Sequence, residues 1–181
     1  MASYLDILTI LLVFFISVAL KSQAAPPPKP AVVVPPATVE NPLAGLEKRL
    51  SKTGLDVKLE RRGVVISLPQ AILFDSGDDH VSRSALPVVK QIADELRAIP
   101  NAVTLIGHSD AMPIHTKRFR NNWELSAKRG LSLMEMLTSE FDIEESRLTV
   151  SSDGPNRPAA SNATAEGRAG NRRVEIVIAS E

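Results

Sequence analysis

Between Ala24 and Pro42 the chain carries seven prolines, Pro26, Pro27, Pro28, Pro30, Pro35, Pro36 and Pro42, set mainly among Ala and Val. Proline has no backbone N–H and a fixed φ, so this run forms neither a helix nor a central strand and favours extended polyproline II. At ~3.1 Å per residue it spans roughly 50–60 Å. What lies before it and what lies after it must therefore fold separately. Met1–Leu20 has a single charged side chain, Asp6, and closes on the apolar run Leu11-Leu12-Val13-Phe14-Phe15-Ile16-Ser17-Val18-Ala19-Leu20. From Leu43 onward charged and apolar residues mix, with turn signals between them. The division is a transmembrane helix over 1–22, a Pro/Ala-rich linker over 23–42 and a globular domain over 43–181.

Composition narrows the chemistry. A length of 181 residues suits one ordinary domain and an appendage. Lys+Arg and Asp+Glu balance at 21 each, which gives no basic face for nucleic acid. There is no cysteine, and so no disulfide, thiolate nucleophile or Cys-type zinc site. His80, His108 and His115 lack metal-ligand spacing. No Ser/His/Asp or paired-carboxylate arrangement points to catalysis, and Ser126 has no base beside it in sequence. The expectation is a binding protein without cofactor or metal rather than an enzyme.

Periodicity orders the domain. Leu43–Lys52 reads as a short helix ending at Gly54. Val57–Glu60 and Val64–Leu68 flank Arg61-Arg62-Gly63 as a hairpin. Leu86, Val89, Ile92, Ala93, Leu96 and Ile99 fall at helical spacing, stopped by Pro100-Asn101. Val103–Gly107 is a short buried strand. Ala127, Leu131 and Met134 mark an amphipathic helix from about Asn122 to Ser139. Leu148–Ser151 and Val174–Ile178 are two further strands. The fold class is α+β, a two-layer sandwich of β-α-β-α-β order with helices on one sheet face. Asp110 ends an apolar strand and Arg129 lies on the early turns of a helix. One fixed anion beside one fixed cation matches a zwitterionic ligand; the alternative is a structural ion pair between the two residues. His108 reads as a hydrogen-bonded residue at a strand end, and Lys117-Arg118-Phe119-Arg120 as a solvated rim.

Four segments, in order, resemble the OmpA-like peptidoglycan-binding family: Leu73-Phe74-Asp75-Ser76-Gly77; Gly107-His108-Ser109-Asp110, with Ser for the family's Thr; Asn122-Trp123-Glu124-Leu125-Ser126-Ala127-Lys128-Arg129; and the block from Asn162 to Ile176 that contains Arg168, Asn171, Arg172 and Arg173. The resemblance implies a pocket for the diaminopimelate residue of the wall's stem peptide. Asp110 and Arg129 fall on the contacting positions and Asn122 on a supporting one, while Ser109 keeps the motif hydroxyl. Arg129 suits a bidentate carboxylate clamp and Asp110 an amino group. Arg173 either lines the site or serves the fold by pairing with a buried acid.

Asn122-Trp123-Glu124-Leu125-Ser126 and Ala111-Met112-Pro113-Ile114 resemble the MotB branch of that family, and Ser3-Tyr4-Leu5-Asp6-Ile7-Leu8-Thr9 resembles the opening of its stator helix. The resemblance implies a homodimer in the inner membrane with its C-terminal domain in the periplasm. It further implies a multi-helix MotA-like partner and Asp6 as carrier of the coupling ion, assisted by Thr9 one turn along. A charged Asp costs roughly 2.5–3.5 kcal/mol at a membrane helix centre, which makes an ion path the usual reason for one. Two alternatives remain open: a passive membrane-to-wall tether, and a secreted wall binder cleaved within Val18–Ala25. The acidic N-terminal segment without Lys or Arg argues against cleavage.

Overall fold

The computed structural model describes residues 4–22, 42–75 and 77–180. The chain divides into two units, 1–38 and 39–181. In the first, α1 runs Tyr4–Ser22. Its large apolar side chains from Ile7 to Ile16 are all exposed, with Phe14 and Phe15 edge to face at 5.9 Å. Among the described residues no helix is long and apolar enough to cross a membrane. The Asp6 side chain and the linker over 23–41 lie outside the described residues.

The second unit is one five-stranded sheet with helices on one face. Its elements are α2 Pro42–Ser51, β1 Asp56–Glu60, β2 Gly63–Pro69, α3 Gln70–Leu73, α4 Leu86–Arg97, β3 Val103–His108, α5 Asn122–Ser139, β4 Leu148–Gly154, α6 Ala165–Asn171 and β5 Arg173–Ala179. The sheet order is β1-β2-β5-β3-β4. Only β3 and β4 run parallel, and α5 supplies the crossover that a parallel pair requires. The expected strands and long helices are all present, with boundaries within a few residues. The short α3 and α6 were not expected.

Alternation along the strands separates two faces. Val64, Ile66 and Leu68 of β2, Val103 and Leu105 of β3, and Val174, Ile176 and Ile178 of β5 form one core with α2, α4 and α5. The other face carries a small cluster of Val65, Ile106 and Val177. Pro87 in the first turn of α4 suits its fixed φ. Arg147 finishes that helix by donating to Leu96 O at 3.0 Å and to Asn101 O.

The start of α5 is written into its sequence. Asn121 is the N-cap and its side chain accepts from Glu124 N at 2.9 Å. Such a cap is worth about 1 kcal/mol. The buried face of α5 departs from the sequence reading. It consists of Leu125, Ser126, Arg129, Gly130, Leu133 and Leu137, whereas Leu131 is 46% exposed. The apolar pattern was misleading because small and charged residues occupy the inner stripe. The reason is close approach: a Cβ on Gly107 would lie 2.0 Å from Ser126 O, and one on Gly130 2.7 Å from Val150 Cγ1.

Gly107→Ala is accordingly expected to force α5 away from β3 and to lower stability by about 1–3 kcal/mol, in the range of other overpacking substitutions. Denaturant unfolding followed by circular dichroism measures this. An unchanged midpoint would mean the helix has room to shift.

Candidate functional site

The end of β3, the start of α5 and the segment joining α6 to β5 converge on one pocket of about 360 Å³. Its polar walls are Gln70, Ser109, Asp110, Asn122, Arg129 and Arg172. Four of the five wall-binding residues expected from sequence, Ser109, Asp110, Asn122 and Arg129, are thus brought together. Arg173 is not among the lining residues.

Asp110 sits just beyond β3, where Ser109 N donates to Gly154 O at 2.9 Å. Its Oδ1 accepts from Met112 N at 3.1 Å and its Oδ2 from Arg172 Nη1 at 2.6 Å. Asn122 holds the loop that follows, donating from Nδ2 to Asp110 O at 3.2 Å and to Met112 O at 2.8 Å. The far side of that loop is fixed by Asn162, whose Oδ1 accepts from Ala111 N and from Asn171 Nδ2. Fully buried Asn171 also accepts from Ala159 N and Ala160 N, both at 2.8 Å.

Arg129 is 4% exposed and forms no ion pair among the described residues. Its Nε and Nη2 donate to Asp78 O at 3.1 and 3.0 Å, and its Nη1 to Gln70 Oε1 at 2.7 Å. The guanidinium also lies 5.2 Å from the centre of the Phe74 ring. Those partners are neutral. Burial pulls Arg129 down to about 10, with Asp79 opposing the shift and Arg172 adding to it. It remains a cation at neutral pH, and two of its five N–H groups have no partner among the described residues. The alternative of an Asp110–Arg129 ion pair is therefore replaced by a different arrangement. Asp110 pairs with Arg172, and Arg129 stands as a buried cation without a carboxylate partner.

Arg172 is the main residue that sequence reasoning missed. It adjoins Arg173, and neighbours in an extended segment point to opposite sides. Arg173 faces the other way, 9% exposed, with Nε and Nη2 on Glu175 Oε1 at 3.0 and 2.7 Å. Of its two sequence readings, the geometry matches the pairing with a buried acid. Glu175 also receives Arg62 Nη2 at 2.8 Å. Burial would raise the Glu175 carboxyl, but His108, Arg173 and Arg62 outweigh it and hold the group well below the usual carboxylate range. His108 differs from expectation: it is buried, neither ring nitrogen has a hydrogen-bond partner, and Nε2 lies 3.6 Å from Glu175 Oε2. At that distance its influence on Glu175 is electrostatic.

The basic segment is more than a solvated rim. Phe119 is 3% exposed, and Arg118 stacks over it at 5.3 Å while donating to Asp78 and Asp79. Asp78, Asp79 and His80 bring three ligand-type atoms within 4.8 Å of one another, a grouping not anticipated from the histidine spacing. The backbone N–H of Asp79, the His80 ring, the Arg118 guanidinium and the His80 backbone N–H hold Asp78 well below its ordinary range. The ion pairs with Arg118 also tie down the loop whose Asp78 carbonyl receives Arg129.

Residues 73–172, more than half of the chain, match the OmpA family. The chain belongs to the OmpA family. Within it, the uncharacterized protein YtxE of Bacillus subtilis (strain 168) is 39% identical over 127 residues, covering 70% of this chain and 52% of that protein. Motility protein B of the same organism is 34% identical over 145 residues, covering 77% and 56% respectively. The chain thus spans about half the length of these curated relatives. Among solved structures, the cell wall anchor of the T6SS from Pseudomonas aeruginosa superposes with a TM-score of 0.69 at 34% identity, covering 77% of this chain and 97% of that one. All four sequence motifs that carried the OmpA resemblance lie wholly or partly within the matched span.

The Glu175 cluster has a pH consequence. A carboxyl held below its unfolded pKa contributes stability above that value and loses it as pH falls. Wild-type stability should therefore decline as pH drops below about 4. Glu175→Gln should flatten that decline and, by leaving Arg173 without its counter-charge, cost about 3 kcal/mol at neutral pH. Denaturant midpoints across a pH series check both effects. A neutral-pH midpoint equal to that of the wild type would mean the cluster adds no net stability.

Proposed function

We propose that the domain over 43–181 holds peptidoglycan by the diaminopimelate residue of its stem peptide, and that the whole chain is a MotB-like stator subunit. The observation that carries the wall reading is Arg129, a buried cation with spare donors, set across one pocket from the Asp110 carboxylate. A ligand carboxylate supplies the charge Arg129 lacks, through charge-assisted bonds stronger than neutral ones. A ligand amino group meets Asp110. Ser109 and Asn122 shape the wall between them, and Asn122 keeps the Asp110 loop in place.

The stator reading draws on the likeness to Motility protein B and on the first unit. A helix that exposes apolar side chains on every side, as α1 does from Ile7 to Ile16, is at home in lipid. Asp6, with Thr9 one turn on, is then the ion carrier in the inner membrane, beside a MotA-like multi-helix subunit and a second copy of this chain. The linker over 23–42 gives the periplasmic domain its reach to the wall. A moving partner exerts torque only against a fixed point, which accounts for an ion site and a wall anchor on one chain. A second reading, a passive tether between membrane and wall, is favoured by the likeness to the T6SS cell wall anchor.

Asp110→Ala and Arg129→Ala should each abolish retention of the full chain on purified sacculi while leaving a cooperative thermal transition. Retention at the wild-type level by a folded variant removes the pocket from wall binding. Asp6→Asn separates the two whole-chain readings in a strain that depends on this gene for motility. Loss of swimming with normal membrane level and sacculus binding makes Asp6 the ion carrier. Undiminished swimming leaves a tether.

A further inference from the structure

Beside the pocket runs a second groove of about 460 Å³, with Pro113, Ile114, His115, Arg120, Asn121 and Trp123 among its walls. Pro113, Ile114 and Asn122 line both cavities, so the two adjoin. The groove is floored by an aromatic plane. Trp123 is 43% exposed although it opens a helix whose other large apolar residues mostly turn inward. One face of its indole rests on Gly154, where a Cβ would lie 2.9 Å from Cδ2 and 3.1 Å from Cε2. Gly154 has φ +50°, so both the backbone conformation and the contact with Trp123 call for glycine. The ring is thereby held flat against backbone. Its Nε1–H has no acceptor among the described residues.

We infer that this groove is a glycan subsite, in which Trp123 stacks on an N-acetylated amino-sugar ring of the same wall strand whose stem peptide enters the pocket. The inference rests on the wall-binding reading above. A flat, half-exposed indole with a free N–H suits a sugar, which offers a C–H face to the ring and hydroxyl or acetamido oxygens to the donor. Arg120, Asn121 and His115 line the same groove, and among the described residues no carboxylate does. Reach agrees as well. Only a short stem separates the sugar from a diaminopimelate residue, and three residues extend roughly 10 Å at most. A groove sharing three walls with the pocket is within that reach.

Trp123 is the single tryptophan of the chain, so intrinsic emission reads the subsite directly. The full chain in detergent micelles is titrated with two probes: the free tripeptide L-Ala-γ-D-Glu-meso-diaminopimelate, and the same tripeptide on its N-acetylglucosaminyl-N-acetylmuramic acid disaccharide. The expected result is binding of both, with the disaccharide form tighter by about three- to tenfold and alone in shifting the emission. By calorimetry, Trp123→Ala should bind the two probes equally, at the affinity of the wild type for the free tripeptide. Trp123→Tyr should recover part of the preference. Retained binding of free tripeptide certifies that each variant is folded.

Equal wild-type affinity for the two probes overturns the subsite and leaves the peptide pocket standing. A full preference surviving in Trp123→Ala does the same. Failure of both probes to bind the wild type removes the peptide pocket and the subsite together.

Discussion

The architecture depends on how closely α5 approaches β3. Gly107 and Gly130 clear a seam between the helix and the sheet: Ser126 O fills the space a Cβ on Gly107 would take, and the Val150 side chain packs onto Gly130. Interiors are packed tightly enough that even one methyl group forces movement. The seam fixes more than packing. Asp110 follows Gly107 by three positions at the strand end, while Asn122 and Arg129 lie one turn to either side of Ser126. Their spacing around the pocket is therefore set by backbone contact between two regular elements, which hold side chains more rigidly than loops do.

Against that rigid frame the polar groups are unevenly satisfied. Buried Asn171 uses its oxygen for two backbone N–H groups and its nitrogen for Ala160 O and Asn162. Buried polar groups are usually satisfied in this way because an orphan costs about 1–3 kcal/mol. Two places break the pattern. One is His108, close to Glu175 on the face away from the helices. The other is Arg129, whose uncompensated charge is tolerable because the pocket beside it is open to a ligand.

Much of this was legible in the chain and some of it was not, for identifiable reasons. Long periodic segments such as Leu86–Arg97 announced themselves, and the start of α5 was read near Asn122, where the structure has it, although the Asn121 cap that fixes it was not singled out. Asp110, Asn122 and Arg129 were placed by the motif resemblance and meet in one pocket. The inner stripe of α5 was misjudged because its close approach requires Ser126 and Gly130 where periodicity looks for Leu131. Arg172 was passed over beside Arg173, since which of two adjacent arginines reaches the pocket depends on where β5 begins. The Arg118 pairs with Asp78 and Asp79 join segments about 40 positions apart, a contact no local pattern encodes.

The pairing of Asp110 with Arg172 raises the question of whether a ligand amine must first break it. It need not. A carboxylate offers about four lone-pair sites, and Asp110 uses two, one for Met112 N and one for Arg172 Nη1. An incoming ammonium can add to the same carboxylate, so that Arg172 goes on orienting the acceptor while the amine binds. Charge balance then favours a particular ligand. Arg129, Arg172 and Asp110 together carry one net positive charge before anything enters. A group bearing one amine and two carboxylates brings that sum to zero, whereas a simple zwitterion, with its carboxylate on Arg129 and its amine on Asp110, leaves one positive charge shared between the amine and Arg172. A diaminopimelate end with a second carboxylate close by in the stem meets this condition. Unpaired buried charge is costly, so under the proposed wall-binding reading the charge count of these three residues favours such a ligand over a single amino acid.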